Sequence, residues 1–251
     1  MILIVADVHG AVAALRATAS RGAIVFVLGD LINFVDYRTN EGLVADVSGR
    51  DFVAEMVRLR TAGAFEEAGR LWQRHSAGRE DDLRQRYDVL VETAYEQVCG
   101  ALDGCEAYVT YGNVDRPSVL RRHLPAAARF VDGVVVDIDG ERFGFAGGGT
   151  VSLGTPGEVS EDEMAAKLAA LGGVDVLCTH APPAIAPLAS DVIGGRQKGS
   201  TAVLRYIEQH QPRLHYFGDI HQPQATTWTV GATVCKNAGY FRATGRAIRH
   251  G

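Results

Sequence analysis

Aspartate, histidine and asparagine recur at short spacing directly after apolar runs in this 251-residue chain. "VADVHG" carries Asp7 and His9, "VLGD" carries Asp30, "TYGNVD" carries Asn113 and Asp115, "LCTH" carries His180, and "FGDIH" carries Asp219 and His221. Each alone has an ordinary reading. An aspartate after glycine forms turns, a lone histidine is usually half-buried and hydrogen-bonded, and Asn113 after Gly112 suits a left-handed turn. Jointly they have a chemistry. No Lys or Arg stands among these residues, and carboxylates packed together without a cation repel and raise one another's pKa. Divalent metal ions relieve that conflict. Carboxylate, imidazole and amide-oxygen donors suit Mn, Fe or Zn, and the lack of thiolates argues against a structural zinc site. The seven candidates Asp7, His9, Asp30, Asn113, His180, Asp219 and His221 are too many for one tetrahedral ion. They suit two ions sharing a carboxylate, a centre that clamps the attacking and leaving oxygens of a displacement at phosphorus.

Such a cluster needs elements that bring distant residues to one place. The runs "ILIVA" (2–6), "AIVFVLG" (23–29), "AYVTYG" (107–112), "VDVLCTH" (174–180) and "LHYFGD" (214–219) read as buried strands. Helical patterns over 11–20, 160–171 and 200–210 alternate with them, as in an α/β sheet. The candidates then fall at the carboxyl ends of five strands, where open α/β sheets form their ligand crevice. The stretches 130–150 and 226–239 place "DG" and Gly231 between β-rich runs, as antiparallel hairpins do. Residues 51–72 and 80–102 read as two helices. In the second, Leu83, Tyr87, Leu90, Val91, Ala94, Val98 and Leu102 form an apolar stripe that must be covered. A helical hairpin inserted at about 41–104 follows, capping the sheet and offering the expected contact for a homo-oligomer.

The motifs "DVH" (7–9), "GD" (29–30), "GNVD" (112–115), "TH" (179–180) and "GDIH" (218–221), in this order, resemble those of the calcineurin-like metallophosphoesterases. "THAPP" and "KNAG" (236–239) resemble the phosphodiesterase-type branch and the family's closing turn. The resemblance covers nearly the whole chain and implies one domain, 1–251, with a four-layer α/β/β/α sandwich. It implies that Asp7, His9 and His221 hold a first metal, that Asp30 bridges, and that Asn113 and His180 hold a second. Asp30, Asn113 and His180 are thereby catalytic as well, and a bridging hydroxide attacks phosphorus. The implied cofactors are two divalent ions, Mn, Fe or Zn, with Mn favoured. The implied substrate is a small phosphodiester or nucleotide. Two positions depart from the pattern. Val114 replaces a histidine that contacts phosphate and protonates the leaving group, which favours diesters and leaves His123 or water to donate. Asp219 replaces the first histidine of the last motif and makes the second site more oxygen-rich and weaker for zinc.

Arg38, Arg116, Arg196 and Lys198 are the basic residues of loops expected near the site. An arginine fork can grip phosphate, although each such residue is more often a surface charge. Asp36 either orients His9 or belongs to a surface loop. "GGRQKGS" (194–200) lacks the order of a nucleotide-cradling loop, and "AGGGT" (146–150) marks a bend or close packing. A net charge of −5 gives no footprint for extended nucleic acid, which weakens a nuclease acting on single strands or ends. A non-catalytic scaffold that keeps the fold and uses it to bind partners is the other alternative, and surviving metal-ligand identities weigh against it. Cys99, Cys105, Cys178 and Cys235 show no CxxC spacing and read as reduced, buried thiols. With no apolar stretch long enough for a membrane span, a cytoplasmic protein is expected.

Overall fold

The computed structural model describes residues 1–152, 154–192 and 198–251. In chain order the first half runs β1 (Ile2–Val5), α1 (Val12–Ala19), β2 (Ile24–Leu28), α2 (Leu43–Ser48), α3 (Arg50–Thr61), α4 (Phe65–Ser76), α5 (Glu80–Gly100), β3 (Ala107–Thr110), α6 (Pro117–His123) and β4 (Ala128–Phe130). The second half runs β5 (Val134–Ile138), β6 (Glu141–Ala146), β7 (Gly149–Thr150), β8 (Glu158–Val159), α7 (Glu161–Leu171), β9 (Val176–Thr179), α8 (Ala186–Ala189) and α9 (Thr201–His210). It closes with β10 (Leu214–Phe217), β11 (Thr227–Val230), β12 (Thr233–Asn237), α10 (Phe241–Thr244) and β13 (Ile248–Arg249).

Two sheets form, one in the order β13-β1-β2-β3-β4 and one in the order β11-β12-β10-β9-β6-β5, with β7 and β8 as a small separate pair. Strands β1 to β4 are mutually parallel, as are β6, β9, β10 and β12, while β13, β5 and β11 pair antiparallel at edges. Strand alternation divides the core. Ile2, Ile4, Phe26 and Leu28 of the first sheet meet Phe143, Phe145, Val176, Cys178 and Tyr216 of the second. On the other face of the first sheet, Val5, Val25, Val27 and Val109 pack against Leu15 of α1 and Val91, Tyr95 and Val98 of α5. On the other face of the second, Leu177 and Phe217 pack against Met164 and Leu168 of α7 and Val203 and Ile207 of α9. The result is the expected α/β/β/α layering. Strands buried on both faces read as continuous apolar runs for this reason.

The local chemistry explains several boundaries. Ser160 and Glu163 form a reciprocal capping box at the start of α7. Pro117 opens α6, where its missing N–H costs nothing. Asp139 and Gly140, both at positive φ, turn β5 back onto β6, and Gly231 turns β11 onto β12. The insertion departs from a hairpin: four helices, α2 to α5, fill 43–100. The pattern read as one helix over 51–72 breaks after Thr61, where Gly63 takes φ +74°, and resumes as α4. Helix α5 buries Leu83, Val91 and Val98 of the expected stripe, and Tyr95 beside it. All four cysteines are free and buried. No helix among the described residues is long and apolar enough to cross a membrane.

Candidate metal centre

The loops leaving β1, β2, β3, β9 and β10 meet where the two sheets abut. All the expected ligands but His221 are buried there: Asp7, His9, Asp30, Asn113, His180 and Asp219. Close approach demands glycine beside them. A Cβ on Gly112 would stand 2.1 Å from Asp30 Oδ1 and 2.5 Å from His180 Cε1. A Cβ on Gly149 would stand 2.5 Å from that of Asn113, so "AGGGT" marks close packing against an expected ligand.

Four of the candidates, Asp7, His9, Asp30 and Asp219, adopt φ between 41° and 68°. Non-glycine residues in that region carry strain that typically accompanies a functional constraint. The rings are aimed by their other nitrogen. His9 Nδ1 donates to the carbonyl of Ile32 (3.2 Å) and His180 Nδ1 donates to that of Leu28 (2.7 Å). Each Nε2 therefore faces the carboxylates, the ring orientation that metal-ligating histidines adopt.

Around these nitrogens, two groups of donor atoms converge within 4.8 Å of one another: Asp7, His9 and His221, and Asp7, Asp30 and His180. Asp30 spans them. Its Oδ2 lies 3.6 Å from His9 Nε2, and its Oδ1 lies 3.6 Å from His180 Nε2. His221 Nε2 sits 3.4 Å from Asp7 Oδ1 and 3.2 Å from His9 Nε2, while Asn113 Oδ1 sits 3.3 Å from His180 Nε2. Burial opposes charge on His180, yet Asp30, Asp219 and Asp7 outweigh it and raise the imidazole to about 9. Burial likewise opposes ionisation of Asp7, but His221, His180 and His9 bring it down to about 2. The cluster favours the ionised form of Asp7 and positive charge on His180, so this donor set fits divalent ions.

Asp219 stands apart from both groups. Its amide donates to Asp7 (3.1 Å), and its carboxylate accepts from Lys198 Nζ at 2.9 Å. Burial disfavours the Lys198 ammonium, but Asp219, Asp30 and Asp7 raise its pKa well above that of a free lysine. Of the other basic residues, Arg38 lies 5.5 Å over the Tyr240 ring, which stacks on His221 at 3.9 Å. Arg116 pairs with Asp88 (2.6 Å). Arg196 falls outside the described residues. His123, weighed as a stand-in proton donor, is instead held by Glu92 at 2.6 Å. Val114 contributes its amide, which donates to Asp30 Oδ1 (3.1 Å).

Neither a protein-family model nor a curated protein matches this chain. Among solved structures, TT1561 of Thermus thermophilus superposes over 98% of this chain and 96% of that one, with a TM-score of 0.54 and 14% identity. The likeness is one of fold.

Sequence reasoning missed several supports of the centre. Asp115, noted only as a strand-end residue, accepts from the amides of Asp30 (2.7 Å), Leu31 (3.0 Å) and Gly112 (2.8 Å) and from the Tyr95 hydroxyl (3.0 Å). It ties the loops after β2 and β3 together. Asp36 is buried. It binds Arg242 Nε (3.2 Å), and Arg242 Nη1 donates to the His9 carbonyl (2.6 Å). Asn237 of "KNAG" donates from Nδ2 to the carbonyl of Ile220 (2.9 Å), fixing the peptide between Asp219 and His221. Asp115, Asp36 and that motif stood out in the sequence without these partners; Tyr240 and Arg242 follow the motif by a few residues and gave no signal of their own.

Proposed function

We propose that this chain is a metal-dependent phosphoesterase that hydrolyses a small phosphodiester. The observation that carries the reading is the pair of donor groups that share Asp7, with Asp30 reaching across them, one carboxylate oxygen facing His9 and the other facing His180. Asp7, His9, Asp30 and His221 would hold one divalent ion, and Asp30, Asn113 and His180 a second, with Mn favoured by the oxygen-rich donors. When bound, such ions polarise phosphoryl oxygens and lower the pKa of water to near neutrality.

The chain's own groups position the ester. Lys198 offers an ammonium beside Asp219 for a phosphoryl oxygen, and Arg38 lies over the Tyr240 ring that stacks on His221. Arg116 and Arg196 remain further candidates for substrate contact. Val114 supplies no proton to a departing alcohol, so diesters with acidic alcohols are favoured. The test is hydrolysis of an aryl phosphodiester by Mn-loaded protein, compared with chelated protein and with Asp30→Ala. Turnover lost in both controls supports the proposal. Turnover of diesters, monoesters and oligonucleotides no faster than that of Asp30→Ala rejects it.

A further inference from the structure

A cavity of about 540 Å³ opens between the inserted helices and the loop after β3. Its volume lies within the roughly 300–1,000 Å³ of small-molecule sites. None of the seven expected ligands lines it, but Val114 does, and the Val114 amide also reaches Asp30. The cavity therefore begins where the metal centre ends. Two aromatic pairs form its walls, Phe34 with Tyr87 (centroids 5.7 Å apart) and Phe52 with Trp72 (5.6 Å). The hydroxyls of Tyr87 and Thr155, both residues of the wall, are buried without a hydrogen-bond partner among the described residues. Buried hydroxyls are rarely left so. The arginines of the wall are already engaged: Arg116 with Asp88 (2.6 Å), Arg84 with Asp81 (3.8 Å) and Arg60 with the Tyr37 hydroxyl (3.4 Å).

We infer that this cavity binds a flat aromatic group with hydrogen-bonding edges, carried on one alcohol of the substrate ester. A nucleobase and a simple heteroaryl ring share that chemistry. The inference builds on the phosphodiester reading, with phosphate at the Asp and His cluster and the ring beyond Val114.

Binding is separable from turnover when the probes are uncharged and are not esters. The chain has two tryptophans, and Trp228 lies on β11, so the Trp228→Phe variant leaves Trp72 as a fluorescent reporter in the cavity wall. The full Mn-loaded chain is titrated with adenosine, benzimidazole, ribose and 1-hexanol. The expected result is saturable quenching by at least one ring compound, at least about tenfold tighter than by ribose or hexanol, with the tighter of the two distinguishing a nucleobase from a plain heteroaryl group. Ser76→Phe, which fills the cavity, should weaken it at least about tenfold with an unchanged melting curve. Should that variant fold poorly, Thr155→Leu serves instead. No saturable ring binding, equal binding of hexanol or ribose, or no effect in a well-folded filled variant overturns the inference. Lost hydrolysis with intact ring binding rejects the phosphodiester reading alone, and intact hydrolysis without ring binding rejects the cavity alone.

Discussion

Lys198 places an ammonium on Asp219, the expected carboxylate ligand that lies outside both groups of converging donors. The position was legible from sequence as an unusual ligand, since aspartate replaces the expected histidine in "GDIH". Its partner was not, because Lys198 comes 21 positions earlier and only folding joins them. If the ion pair holds Asp219 away from the second metal, Lys198→Met should free it. Calorimetric Mn titration is then expected to show the weaker equivalent binding about tenfold tighter, a change of about 1.4 kcal/mol; unchanged affinity would show that Asp219 plays no part in metal binding. Val114 admits a parallel test of proton donation. Val114→His restores an imidazole beside Asp30, and turnover of alkyl esters should rise at least about tenfold while that of nitrophenyl esters stays level, since general acids matter most for poor leaving groups. Equal change in both classes would point to altered binding instead.

At the scale of elements, the strands were legible because their runs are apolar on both faces, and the ligands were legible because they end those runs. The insertion was less so. Short helices such as α2 and α6 lack a full amphipathic repeat, and Gly63 interrupts a pattern that otherwise continues from α3 into α4. The second-sheet strand β10 hides another feature behind its apolar residues. His215 is fully buried, donates from Nε2 to Thr179 Oγ1 (2.8 Å), and has no partner at Nδ1 among the described residues. Burial pushes its pKa down to about 3. The unfolded chain takes up this proton below about pH 6.5 while the fold resists it, so stability is lost as pH falls from 6.5 toward 3. Urea unfolding at pH 4.5 should show about 2–3 kcal/mol less stability from this group than at pH 7, and His215→Leu should flatten that limb. An equally steep limb in the variant would assign the acid sensitivity elsewhere.

The whole molecule joins two sheets whose ligand-bearing loops meet at a crowded cluster of carboxylates. Metal ions that bind only the folded chain stabilise it by mass action, about 2.7 kcal/mol at 100 times the dissociation constant. For a chain of this size that corresponds to a melting temperature roughly 5–10 °C higher. Differential scanning calorimetry with excess Mn and then with chelator should reproduce that difference; superimposed scans would mean that the cluster holds no ion. The left-handed backbone at Asp7, His9, Asp30 and Asp219 adds a consequence for the chain's history under selection. Glycine relaxes such a backbone at no steric cost, so a population selected for heat resistance alone, in medium depleted of metal, would drift toward glycine at these four positions. Persistence of the acidic and imidazole side chains there would mark a lineage still living on the chemistry of the site.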